Sequence, residues 1–87
     1  MTFSLYWAFD VVLTLQRLEA AADDPARVRD AVNYIDFTLR RTPADMGESR
    51  ETRHRRLWYS DVLGVLYEVD LVQMRVEVLA VGPAKRH

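Results

Sequence analysis

The charged chemistry of this chain is concentrated in one short stretch. Arg50, Arg53, His54, Arg55 and Arg56 fall between positions 50 and 56, and Lys85 and Arg86 add two cations near the C-terminus. A guanidinium presents five N–H donors in a planar fork that matches a phosphate or a carboxylate. Arg50, Arg53, Arg55, Arg56, Lys85 and Arg86 are therefore the candidate contacts to a phosphate or an acidic partner. Side chains alternate along a strand, which puts Arg53 and Arg55 on one face and His54 and Arg56 on the other. The cluster is then not a single patch unless a bulge or the preceding loop re-aims it. A structural reading stands beside the functional one: charges protect an edge strand from pairing with another chain, and a basic terminus is often simply solvated.

Other reactive groups are sparse. His54 is a lone histidine on the predicted strand, where a solvent-facing or hydrogen-bonded role competes with proton transfer. Glu51, Glu68 and Glu77 are acids with no evident partner acid. Trp58 and Tyr59 come directly after the arginines, and interleaved basic and aromatic residues can stack on bases or close a core. One of the two is expected inside and the other outside, and Tyr6 and Trp7 pose the same question on the first strand. There is no cysteine and there are two histidines, so the expectation is no metal site, no disulfide and no cofactor.

These groups need a scaffold, and 87 residues allow one domain, 1–87, with 83–87 as a basic tail. Hydrophobic residues make up 49% of the chain, enough for a folded core. The net charge of −1 hides an asymmetry. Residues 1–48 carry eight acidic and five basic side chains, and residues 49–87 carry five and seven. The halves are thus −3 and +2, and charge alone gives little support to a nucleic-acid partner. The start, Met-Thr-Phe-Ser, lacks the basic segment of a signal peptide, and apolar runs are far short of a membrane span. A cytoplasmic protein with no membrane association is expected.

Periodicity supplies the elements. Phe3, Leu5 and Trp7 alternate with polar neighbours and predict a strand over 3–8. Val11, Leu15, Leu18 and Ala22 predict a helix from Phe9 or Asp10 to Ala22. Asp24 and Pro25 read as N-cap and first position of a second helix. That helix runs to about Arg41 along Val28, Ala31, Val32, Ile35 and Leu39, with Arg40 and Arg41 in its last turn. Residues 42–49 form a turn. Three strands come next, at Arg53–Tyr59, Val62–Asp70 and Met74–Gly82. Leu63, Val65, Tyr67 and Val69 lie on one face of the second, and Val76, Val78 and Ala80 on one face of the third. Strand, two helices and three strands make an α+β domain with an antiparallel-rich sheet and a helical hairpin on one face. Leu63, Val65, Tyr67, Val76 and Val78 should be buried with Leu15, Leu18, Val32 and Ile35.

This ordered set resembles the RelE/ParE toxin superfamily. It is carried by Ala31-Val32-Asn33-Tyr34-Ile35-Asp36-Phe37-Thr38-Leu39 in the second helix, Pro43, and Gly47-Glu48-Ser49-Arg50. It continues through Arg55-Arg56-Leu57, then Gly64-Val65-Leu66-Tyr67-Glu68-Val69, similar to the family's Arg-x-x-Tyr-x-Val strand. Val76-Glu77-Val78-Leu79-Ala80-Val81-Gly82, with basic residues after it, completes the set. The resemblance implies the toxin of a type II toxin–antitoxin pair, with a cognate antitoxin as partner. Its target would be DNA gyrase in the ParE-like branch, or the ribosome and its mRNA in the RelE-like branch. RelE-like enzymes cut mRNA without a metal, using basic and acid–base side chains on the open sheet face. By that resemblance the phosphate-gripping arginine corresponds to Gly64, and the family's C-terminal Tyr or His-Tyr has no clear match. Any catalytic charge would fall to Arg55, Arg56, Lys85 and Arg86. The implied function is therefore toxin-like, ParE-like or degenerate rather than nucleolytic. The alternatives are a ribosome-dependent endoribonuclease that binds RNA and a non-toxic protein-interaction module.

Overall fold

The computed structural model describes residues 2–50 and 52–84, with only the backbone at 50, 52 and 53. The elements run β1 (Ser4–Trp7), α1 (Phe9–Ala21), α2 (Pro25–Leu39), a 3-10 turn (Pro43–Asp45), β2 (Glu48–Arg50), β3 (Thr52–Ser60), β4 (Leu63–Asp70) and β5 (Arg75–Pro83). The strands form one sheet in the order β1-β5-β4-β3-β2. β1 lies parallel to β5, and the other three pairs are antiparallel.

The local signals explain the helices. Asp24 caps α2 by accepting the Arg27 N–H at 3.3 Å, and Pro25 occupies the first turn. The missing N–H of proline costs nothing there. α2 ends at Leu39, short of the predicted end at Arg41. Arg40 and Arg41 are past the end, and their charges are engaged locally. Arg40 Nε bonds Asp36 at 2.7 Å, and Arg41 lies 3.7 Å over the Phe37 ring. The two helices are tied by the Arg29–Glu19 ion pair, and the α2 N-terminus is tied to the β3–β4 turn by Arg27 and Asp61 at 2.6 Å.

Both helices cover one face of the sheet. The core joins Leu5, Val11, Val28, Ala31, Ile35 and Leu39 to Leu63, Val65, Tyr67, Val69, Val76 and Val78. Leu15, Leu18 and Val32 are only half-buried and pack at its margin rather than inside it. Trp7 joins that margin and donates its indole N–H to Asp36 at 3.1 Å.

Two features of the sheet depart from the sequence reading. Residues 48–50, expected in a turn, form β2 and pair with β3, with Glu48 opposite Leu57 and Ser49 opposite Arg56. Three residues carry too short an alternation to be seen as a strand; their pairing partner makes them one. The other is a bulge between β4 and β5. Leu66 faces Ala80 and Tyr67 faces Val78, so Leu79 is an extra residue. A bulge reverses the facing of the residues beyond it. Val81, not Ala80, therefore turns toward the core, while Ala80 and Gly82 turn to the other face.

Candidate functional site: the open sheet face

The sheet face turned away from the helices is where this architecture can receive a ligand. Register assigns its side chains. Arg55 pairs with Glu68, Leu57 with Leu66 and Tyr59 with Gly64 across β3 and β4. Glu77 lies beside Glu68, Arg75 beside Asp70, Ala80 beside Leu66 and Gly82 beside Gly64. Ser4 and Tyr6 of β1 complete the face next to Arg75 and Glu77.

The face has two halves. At the end formed by the start of β5, Glu68, Asp70, Gln73, Arg75 and Glu77 line a shallow depression of about 240 Å³. Its cations are engaged: Arg55 bonds Glu68 at 3.2 Å, and Arg75 lies 4.3 Å over the Tyr6 ring. Asp70 accepts the Val72 and Gln73 N–H groups of the β4–β5 turn at 3.0 and 2.9 Å. At the other end, Leu57, Tyr59, Gly64, Leu66, Ala80, Val81, Gly82 and Pro83 line an apolar notch of about 270 Å³. Tyr59, 60% exposed, forms one wall.

Gly64 explains the notch. A Cβ placed there would meet the Tyr59 ring at 2.7 Å. The glycine thus makes room for the tyrosine ring, an aromatic covering the bare backbone of a strand glycine. The position that the resemblance assigns to a phosphate-gripping arginine is occupied by an aromatic from the neighbouring strand. Gly82, its cross-strand partner, has nothing within 4 Å of where a Cβ would stand.

Arg55 and Arg56 part company, as strand alternation requires. Arg56 points to the helix side and binds the loop before β2. Its Nε donates to the Met46 carbonyl at 2.6 Å, and its two terminal nitrogens donate to Gly47 O at 2.9 Å and Ser49 Oγ at 3.3 Å. Tyr67 joins the same knot from the core, its hydroxyl 2.7 Å from Pro43 O and 2.9 Å from Met46 O. Burial pushes the Tyr67 phenol up to about 12, against the pull of the Arg56 charge and hydrogen bond. Gly47 sits at φ +66°, and a Cβ there would lie 2.3 Å from Leu57 O. Only glycine fits that turn.

Among the other sequence candidates, the side chains of Arg50 and Arg53 and all of Lys85 and Arg86 lie outside the described residues, as does Glu51. His54 is exposed near the β4–β5 turn, in a depression it shares with Val69, Leu71 and Val72. Trp58 packs at the core margin near Tyr34, and Tyr59 is the outer aromatic of the pair. The Tyr59–Gly64–Gly82 row was not legible in the sequence, because strand register decides it. The signal in the sequence was Gly64 inside the apolar run from Val62 to Tyr67. A larger depression of about 370 Å³, lined by Leu18, Val28, Val62 and Leu63 among others, sits at the end of the helical hairpin and shares Pro83 with the notch.

Among the described residues no cluster of three His, Cys, Asp or Glu side chains could hold a metal ion. No helix is long and apolar enough to cross a membrane.

No family model and no curated protein matches the chain. Solved structures do. A chain of a RelBE toxin–antitoxin complex from Mycobacterium tuberculosis superposes with a TM-score of 0.77 at 17% identity, covering 97% of this chain and 100% of that one. The isolated RelE toxin of E. coli gives 0.71 at 14% identity, over 98% and 87% of the two chains. A chain of the archaeal RelE–RelB complex from Pyrococcus horikoshii gives 0.68 at 21% identity over the whole of both. Two helices on one face of a five-stranded mixed sheet, in this strand order, are the RelE-like fold.

Proposed function

We propose that this protein is the toxin-like member of a type II toxin–antitoxin pair, bound by a cognate antitoxin and acting on a cellular target without cutting mRNA. The shared fold supports the pairing, since two of the similar structures are complexes of a toxin with its antitoxin. One observation carries the choice of action. The open face has an apolar notch with the Tyr59 ring over Gly64, where a nuclease of this build needs a cation. The described guanidinium groups on the face are bridged to Glu68 or stacked on Tyr6. Loss of one preorganised charged group costs roughly 10²–10³ in rate. A ParE-like action on DNA gyrase needs no such set and is the finer reading.

The test has three arms. The chain is expressed alone and with the product of the adjacent reading frame, and growth is followed. Purified protein is added to translating ribosomes beside the E. coli RelE toxin, and to a gyrase supercoiling reaction. The expected results are growth arrest relieved by the neighbour, no codon-resolved cleavage, and inhibited supercoiling. Cleavage at a rate comparable to the E. coli toxin would establish the endoribonuclease reading instead. A folded protein without effect on growth would leave a non-toxic interaction module.

A further inference from the structure

We propose that the open face is a docking site for an extended peptide segment of a protein partner, bearing one bulky apolar side chain and, two or four residues from it, a cation. The inference rests on reading this face as a protein-binding surface rather than a phosphate grip, and it names what that surface recognises.

The notch supplies the apolar half. Leu57, Leu66, Ala80 and Pro83 line it with hydrocarbon, and the Tyr59 ring walls one side. Its volume of about 270 Å³ is enough for a leucine or phenylalanine side chain. Gly82 forms part of its floor without a structural demand for glycine: its backbone is not in the left-handed region, and no neighbour crowds its missing side chain. A bare glycine inside a strand is where another chain can approach the backbone closely.

The carboxylates supply the polar half. Glu68, Asp70 and Glu77 share the depression with Arg75, and with Arg55 bridged to Glu68 they still outnumber the described cations there by three to two. Along β4, Leu66 is two residues from Glu68 and four from Asp70. At about 3.3 Å per residue, an extended segment that seats its anchor at the notch reaches those acids after roughly 7–13 Å. Residues two and four positions beyond the anchor point to the same side as the anchor itself. The occupant is therefore an alternating segment with one apolar anchor and cations at one or both of those positions relative to it. A nucleic acid fits less well, because its phosphates would meet three carboxylates against only two described guanidinium groups, those of Arg55 and Arg75.

The probe is the synthetic peptide acetyl-Ser-Ser-Phe-Ser-Arg-Ser-Arg-Ser-amide, titrated into the isotope-labelled full chain and followed by amide chemical shifts. Matched peptides replace Phe by Ser, or both Arg by Glu, and a decamer of uridine serves as the RNA comparison. The first peptide should perturb the amides of Gly64, Leu66, Glu68 and Gly82, and both replacements should weaken it roughly tenfold. Gly82→Leu and Ala80→Leu each fill the notch from a different position, and Glu77→Lys reverses the charge. Each folded variant should weaken the peptide by a similar factor, with its melting transition retained as the control. The proposal is overturned if the peptide leaves these amides unmoved at millimolar concentration. It is overturned equally if the folded notch-filling variants bind it as wild type does, or if the RNA binds the same residues more tightly. None of these outcomes bears on the neighbour's rescue of growth or on gyrase, so the two readings fail separately.

Discussion

Arg55 and Arg56 are chemically identical neighbours, and the structure predicts opposite consequences for removing them. Arg56→Ala deletes a guanidinium that donates to two backbone carbonyls and a hydroxyl in the loop before β2. Hydrogen bonds from a charged donor contribute about 1.5–3 kcal/mol, and leaving acceptors partly buried without partners adds to the loss. Met46 O also lies 2.9 Å from the Tyr67 hydroxyl, whose single proton it shares with Pro43 O, so part of its bonding is kept. The net cost should be about 2–3 kcal/mol. In a domain of this size each kcal/mol lowers the melting temperature by roughly 4–8 °C. Arg55→Ala removes a side chain whose ion pair with Glu68 is solvent-exposed. Such pairs contribute about 0–1 kcal/mol. Urea unfolding followed by far-ultraviolet circular dichroism, at low and high salt, reads both. Arg56→Ala should shift the midpoint strongly and almost independently of salt, and Arg55→Ala weakly. Equal losses, or a larger loss for Arg55→Ala, would refute the assignment of the two residues to opposite faces. The contrast also governs partner binding. A loss of affinity for the proposed antitoxin in Arg56→Ala can come from a loosened loop, whereas in the stable Arg55→Ala variant it reports a direct contact.

Tyr67→Phe should cost about 1–2 kcal/mol by leaving the Pro43 carbonyl without its hydroxyl donor. Because its phenol is raised to about 12 when folded, its contribution is fully present below pH about 10 and is lost as pH rises through 12. That alkaline loss, up to roughly 2–3 kcal/mol, should be missing from Tyr67→Phe in unfolding titrations. Ile35→Ala empties a fully buried core site and should cost about 2–5 kcal/mol; a loss under about half a kcal/mol would place Ile35 outside the core. Asp36 is pushed up by burial but pulled further down by hydrogen bonds from Arg40 and Trp7 and by the Arg40 charge, so its carboxyl sits below the usual range. Its stabilisation holds above that range and is lost as pH falls through the lowered value. Asp36→Asn should therefore lose that stabilisation at neutral pH and flatten the acid side of the stability profile, so that the two proteins converge as pH falls, as urea midpoints at several pH values will show.

Much of the architecture was legible because it depends on neighbours in the chain. The period of Val28, Ala31, Ile35 and Leu39, the Asp24-Pro25 start of α2 and the alternation of Leu63, Val65, Tyr67 and Val69 are all local patterns, and each appears in the fold as read. So does the division of Arg55 from Arg56, since a strand must send adjacent side chains to opposite faces. The end of α2 was misread because Arg40 and Arg41 favour a helix end in general, whereas here they bond Asp36 and stack on Phe37 outside it.

The sequence alone determined the order of the two helices and of every strand but β2, and the side of the sheet that the helices cover. Tertiary structure decided everything that depends on register. β2 exists only because β3 is there to pair with it, and the bulge at Leu79 is an offset between β4 and β5 that neither strand's own pattern encodes. That offset turns Ala80 and Gly82 outward, beside a tyrosine that lies over Gly64 from the next strand. The apolar notch is built from residues on three strands, and only hydrogen-bonded pairing, which fixes which residue faces which, brings them together.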